Sequence, residues 1–114
     1  MLFKASLLTA VLAALAYATP SMKSRQACSD VTIIFARGTG ETLPIGTVVG
    51  PLFEIAVQVA ITPRSLNFMG VNYAASVPGF LEGGDPVGAR TMAADVTTVA
   101  NSCPNTQIVM SGYR

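Results

Sequence analysis

Thr106-Gln107-Ile108-Val109-Met110-Ser111-Gly112-Tyr113 is the stretch on which the fold turns. Pro104 and Asn105 bend the chain into it, and Ile108, Val109 and Met110 then form a short apolar run. Such a run, bounded by turn residues, predicts a parallel strand buried on both faces. Upstream, Asp85-Pro86 marks a helix start, with aspartate as N-cap and proline in the first turn. Met92, Val96 and Val99 follow at i, i+4 and i+7 as its packed stripe, and Cys103-Pro104 stops it.

Further back, Leu66 to Tyr73 contains Phe68, Met69 and Val71 in a run that predicts a second strand. Before it, a helix is expected from Thr47, with Val48, Leu52, Ile55 and Val59 as its buried stripe and Thr62-Pro63 as its end. Pro51 fits only near its first turn. Val31 to Ala36 is β-branched and almost wholly apolar, again the pattern of a strand covered on both sides. Strand, helix, strand, helix, strand with no hairpin signal is two βαβ units, hence an α/β protein with a parallel sheet between helical layers. Between Ala74 and Gly84 a long connection rich in Gly, Pro and small residues is expected to be loop.

The chain of 114 residues allows one domain at most. Residues 1–18 read as a secretory leader: Lys4, an apolar stretch from Leu7 to Leu15, and Ala16-Tyr17-Ala18 as a small-x-small cleavage site. The apolar stretch is shorter than the ~20 residues of a membrane span, so no stable membrane insertion is expected. Residues 19–27 are polar and aperiodic, an unstructured arm or propeptide, and residues 28–114 form the domain. After the leader, Lys23, Arg25, Arg37, Arg64, Arg90 and Arg114 balance Asp30, Glu41, Glu54, Glu82, Asp85 and Asp95. With no basic stripe, nucleic acid is excluded as a partner.

Cys28 and Cys103, in a chain addressed to an oxidising compartment, predict one disulfide. The alternatives are two free thiols or a metal pair. The sequence has no histidine and no Cys-x-x-Cys, which argues against the metal. No cofactor is expected.

Ligands of an open α/β sheet sit outside the carboxyl ends of its strands. The first such loop here is Gly38-Thr39-Gly40. A dinucleotide fingerprint needs glycine where Leu43 stands, and a P-loop needs a lysine that does not follow. What remains is a turn aiming the amide and hydroxyl of Thr39 at a developing negative charge, or an ordinary Gly-rich turn. At the far strand, Gly112-Tyr113 matches the opening of the Gly-x-Ser-x-Gly elbow that presents a nucleophilic serine. The serine position holds Arg114, which has no nucleophilic form at accessible pH. Ser111 lies two residues early, inside the strand end, and reads as a small strand residue. Asp95 falls on a helix face away from the Met92 stripe and is expected to be solvent-exposed.

Phe35-Ala36-Arg37-Gly38-Thr39-Gly40-Glu41-Thr42, followed by Ser111-Gly112-Tyr113, resembles the fungal cutinases, a family of α/β-hydrolases. Their segments read Ala-Arg-Gly-Ser/Thr-x-Glu and Gly-Tyr-Ser-Gln-Gly. Cys28 and Cys103 stand where that family places a disulfide, and Tyr73 to Gly84 looks like its substrate-side loop.

The resemblance implies a secreted, monomeric, cofactor-free serine esterase acting on cutin polyester and short-chain esters. It assigns Thr39 as oxyanion donor and Gly112 and Tyr113 as the remnant of the elbow. It leaves Arg114 in the nucleophile's place, and no catalytic serine, aspartate or histidine in the family's order. The expectation is therefore a cutinase-like three-layer fold incomplete at its C-terminus, inactive as it stands. Three readings follow: the front of an esterase broken off by an exon or frame error, a non-catalytic secreted remnant with a binding or signalling role, or a related esterase for acetylated xylan.

Overall fold

A computed structural model describes residues 28–113. The leader (1–18), the arm or propeptide (19–27) and Arg114 lie outside the described residues. Three strands, β1 (Val31–Ala36), β2 (Leu66–Gly70) and β3 (Gln107–Gly112), form a parallel sheet in the order β2-β1-β3. Val31 pairs with Leu66 on one side and with Gln107 on the other. Helix α1 (Gly50–Ile61) joins β1 to β2; a short α2 (Val77–Leu81) and a long α3 (Pro86–Ser102) join β2 to β3.

That order explains the layers. The connection from β1 to β2 steps one way across the sheet, and the connection from β2 to β3 steps back past β1. Right-handed crossovers running in opposite directions deliver their helices to opposite faces. Alternation along β1 serves both faces. Val31, Ile33 and Phe35 meet Val49, Phe53, Val57 and Ile61 on the α1 side. Ile34 meets Val99, Met92 and Val96 of α3 on the other, together with Val71. Phe35, Phe53 and Phe68 stack at centroid separations of 5.5–6.1 Å, adding aromatic contact to the first core. The three-layer α/β architecture with a parallel sheet expected from the sequence is thus present.

α3 begins as predicted: Asp85 is its N-cap, its carboxylate accepting from Val87 N–H at 2.9 Å. It ends at Ser102, and Cys103 is its C-cap. The Met92-Val96-Val99 stripe packs on the sheet.

Other expectations need correction. α1 starts at Gly50 rather than Thr47, with Pro51 in its first turn. Its predicted stripe is the wrong face: Leu52 is 70% exposed and Val59 72%, with Val48 and Ile55 exposed beside them. α1 is apolar nearly all round, so periodicity offers two stripes, and Val49-Phe53-Val57-Ile61 is the one that meets β1. β2 ends at Gly70, before Val71 and Tyr73.

The expected loop from 74 to 84 contains α2, capped by Ser76 Oγ accepting from Gly79 N–H at 3.2 Å. β3 is not covered on both sides: no strand pairs with its outer edge among the described residues, and Val109 and Met110 are exposed. Asp95 is half-buried rather than open to solvent.

Cys28 and Cys103 form the disulfide, with Cα atoms 5.5 Å apart. It ties the entry of β1 to the end of α3, at the amino ends of the strands. No helix among the described residues is long and apolar enough to cross a membrane.

Candidate active site

β1 and β3 lie side by side with their carboxyl ends together, and the crossovers that lead away from β1 and into β3 diverge. This is the topological switch point, where an open α/β sheet forms its ligand crevice. Both candidate loops converge there. Tyr113 N–H donates to Ala36 O at 3.0 Å, continuing the ladder one step beyond β3. The Tyr113 ring then lies over Gly38, close enough that a Cβ at 38 would sit 2.9 Å from its Cδ1. Only glycine fits that approach.

The loop after β1 closes as a tight turn, Glu41 N–H donating to Gly38 O at 3.1 Å. Gly40 occupies its third position with φ +80°, which a type II turn demands and glycine supplies without strain. Thr39 stands at the tip. Neither its amide nor its hydroxyl makes a hydrogen bond among the described residues. Thr39, Tyr73, Ala75, Ser76, Asp85 and Tyr113 contribute to the walls of a cleft of about 110 Å³. Its outer wall is α2 and the glycines that follow it.

Behind the turn lie Arg37 and Tyr73, a cation and a neutral phenol in contact. Arg37 is only 5% exposed, and its guanidinium is spent on three main-chain carbonyls: Glu41 O at 2.7 Å, Tyr73 O at 2.8 Å and Ala74 O at 3.4 Å. Tyr73 returns the contact, its phenol donating to Arg37 O and its ring lying 5.2 Å from the guanidinium carbon. Burial raises the Tyr73 phenol above its ordinary pKa of 10.0, against the pull of Arg37.

Gly40 N–H donates to Ala75 O at 2.8 Å, and Ala75 is held at φ +50°, a left-handed conformation uncommon for alanine. The Glu41 carboxylate accepts from three amides, Gly38 (2.8 Å), Thr47 (2.9 Å) and Val48 (2.8 Å). The Val48 and Thr47 bonds, with a smaller share from Gly38 and Arg37, hold its pKa below the ordinary 4.5. No group of three or more metal-ligating side chains occurs among the described residues.

A cutinase family model matches residues 27–114. The chain belongs to the cutinase family. It is 56% identical over 102 residues to a cutinase of Botryotinia fuckeliana, covering 90% of this chain and 50% of that protein. It is 52% identical over 108 residues to a cutinase of Monilinia fructicola, covering 95% of this chain and 53% of the relative. Among solved structures, a Trichoderma reesei cutinase in complex with a C11Y4 phosphonate inhibitor superposes with a TM-score of 0.71. It is 44% identical, over 75% of this chain and 39% of that one. The chain thus spans about half the length of the curated cutinases it matches.

Of the residues singled out in the sequence, Thr39, Gly112 and Tyr113 come together at the switch point. Ser111 stays inside β3, and Asp95 on α3 is not part of the cleft. Tyr73 and Ser76 belong to the segment that resembles the family's substrate-side loop, and both line the cleft. Arg37 and Glu41 stand in the quoted motif without an assigned role, and the sequence marks Asp85 only as a helix cap. An arginine directly after an almost wholly apolar strand is a signal that was available, since a charge at the edge of a core needs partners. Asp85 carries no such signal; tertiary placement alone brings it in.

Proposed function

We propose that residues 28–113 supply the oxyanion side of a secreted serine esterase that acts on cutin polyester and short-chain esters. One observation carries this reading: the amide and hydroxyl of Thr39, unspent among the described residues, stand at the cleft where β1 and β3 end. In ester hydrolysis a serine attacks the carbonyl, and negative charge builds on the carbonyl oxygen. Thr39 N–H and Oγ1–H would donate to that oxygen, from a turn already held before substrate arrives. Gly112 and Tyr113 carry β3 into the bend on which the nucleophile sits, and the Tyr113 ring packed on Gly38 fixes the distance between the two sides. The leader, the arm of residues 19–27 and a monomeric state belong to the same proposal.

The 114-residue sequence holds Arg114 after Tyr113 and no histidine. A polypeptide of this sequence alone has neither nucleophile nor proton shuttle, and we propose that it does not turn over ester.

The test is a chimera joining residues 28–113 to the remaining half of the Botryotinia fuckeliana cutinase. It is expected to hydrolyse p-nitrophenyl butyrate and to release cutin monomers, and Thr39→Val is expected to lower kcat by about 100-fold, the lower end for an oxyanion donor. A folded but inert chimera, or one indifferent to Thr39→Val, would refute the reading. The same assay on the 114-residue chain is expected to give no hydrolysis.

A further inference from the structure

We infer that Glu41 is a positioning residue for the Thr39 turn, and that Arg37 moors the same turn to the opposite wall of the cleft. The inference rests on Thr39 being the oxyanion donor, and adds which groups hold it there. The two carboxylate oxygens of Glu41 have separate tasks. Oε1 accepts from Thr47 and Val48 at 2.9 and 2.8 Å, fixing the carboxylate to the segment that leads into α1. Oε2 accepts from Gly38 N–H at 2.8 Å, one residue before the turn's tip. The carboxylate therefore joins the turn to a helix that packs on β1, and does so with charge-assisted bonds.

Arg37 provides the second anchor. Its rigid fork reaches Glu41 O at the end of the turn itself and Tyr73 O and Ala74 O across the crevice. Gly40 N–H to Ala75 O completes the tie, at a residue held in a left-handed conformation. These bonds consume the amides of Gly38, Gly40 and Glu41 and leave that of Thr39. A turn so held keeps one donor pointed at the cleft without reorganisation, which is the condition for transition-state stabilisation.

The chemistry of the two oxygens makes the idea sharp. Glu41→Gln retains one carbonyl oxygen and replaces the other with an amide nitrogen, which only donates. With the oxygen turned toward Thr47 and Val48, the nitrogen faces Gly38 N–H, donor against donor. The substitution thus releases the turn and spares the α1 side. Arg37→Lys does the converse: it keeps a positive charge near Glu41 but loses the fork that spans three carbonyls.

The experiment is amide hydrogen exchange and pH titration by NMR on the ¹⁵N-labelled 114-residue chain and these two variants. The charged group beside the Glu41 carboxylate is the Arg37 guanidinium, and the Tyr73 phenol stays neutral across the acid range. In the parent chain the Gly38, Thr47 and Val48 amides are expected to titrate together, with one midpoint below 4.5. Glu41→Gln is expected to abolish that titration and to speed Gly38 exchange by about tenfold or more, as loss of a charge-assisted bond implies, while β1 amides hold. Arg37→Lys is expected to speed Gly40 exchange and leave the shared titration in place.

Gly38 exchange unchanged by Glu41→Gln would overturn the inference. So would equal loosening of β1 and α1, the mark of a general structural role, or a chain with no dispersed amide spectrum. The readout does not depend on turnover. If Gly38 is freed as expected but Thr39→Val leaves the chimera's kcat unchanged, Glu41 still positions the turn, and the oxyanion assignment alone falls.

Discussion

Breaking the Cys28–Cys103 bridge is the perturbation with the largest calculable effect. The bridge closes a loop of 75 residues that contains β1, α1, β2, α2 and all of α3. Constraining a loop of that length in the unfolded chain is worth about 4.5 kcal/mol at 25 °C on the chain-entropy account, or about 2000-fold in the unfolding equilibrium. A small domain is stable by only roughly 5–15 kcal/mol, so the bridge is a large share of the total. The assay is a urea titration followed by far-UV circular dichroism, comparing the oxidised chain with a Cys28→Ser, Cys103→Ser double variant. With slopes of about 1–2 kcal/mol per molar for a domain this small, the midpoint should fall by about 2–4 M. A midpoint within about 0.5 M of the parent would refute the reasoning, because the denatured state would then be no freer without the bridge.

Three further outcomes follow from packing and charge. Phe53→Ala, which opens the Phe35-Phe53-Phe68 cluster, should cost about 3 kcal/mol in the same titration, whereas Leu52→Ala, on the exposed face of α1, should stay within about 0.5 kcal/mol; the reverse order would restore the face predicted from the sequence. Asp85→Ala should cost about 1 kcal/mol by removing the α3 cap, and Asp85→Asn should recover most of it. Glu41 binds its proton less readily when folded, so its contribution is complete above the ordinary carboxylate value of 4.5 and is lost as pH falls through the depressed one. Thermal melts should therefore drop more steeply below pH 4.5 for the parent than for Glu41→Gln, and parallel curves would argue against it.

The architecture was legible where one physical signal spoke alone. β1 has no polar alternative among Val31, Ile33, Ile34 and Phe35, and Asp85-Pro86 leaves little choice for the start of α3. It was illegible where two signals agreed with two answers. α1 carries apolar residues on both faces, so Val48-Leu52-Ile55-Val59 and Val49-Phe53-Val57-Ile61 fit a helix equally well, and only the position of β1 selects one. Five-residue α2 hides among Gly and Pro because so short a helix has no periodicity to read; its cap, Ser76 to Gly79 N–H, is the one local clue. Ile108-Val109-Met110 reads as doubly buried by composition, but burial depends on neighbours that the segment itself does not encode.

The site shows the same division in a more useful form. Of the residues the sequence motifs name, Thr39 and Tyr113 line the cleft and Gly112 ends β3 beside it, because turns and elbows demand particular residue types. The motifs did not locate what holds those residues, and the sheet order says why something must. Beyond the last paired residues of β1 and β2 the two chains run on as loops, so ladder hydrogen bonds cannot fix one loop against the other. The carbonyls of Tyr73 and Ala74 and the amide of Gly38 still need partners as they come away from the sheet. An arginine fork answers the carbonyls and a carboxylate answers the amide, and Arg37 and Glu41 stand four residues apart on either side of the turn tip. A crevice built this way owes its shape to side-chain-to-backbone bonds, so single substitutions that leave the fold intact should be able to misplace Thr39.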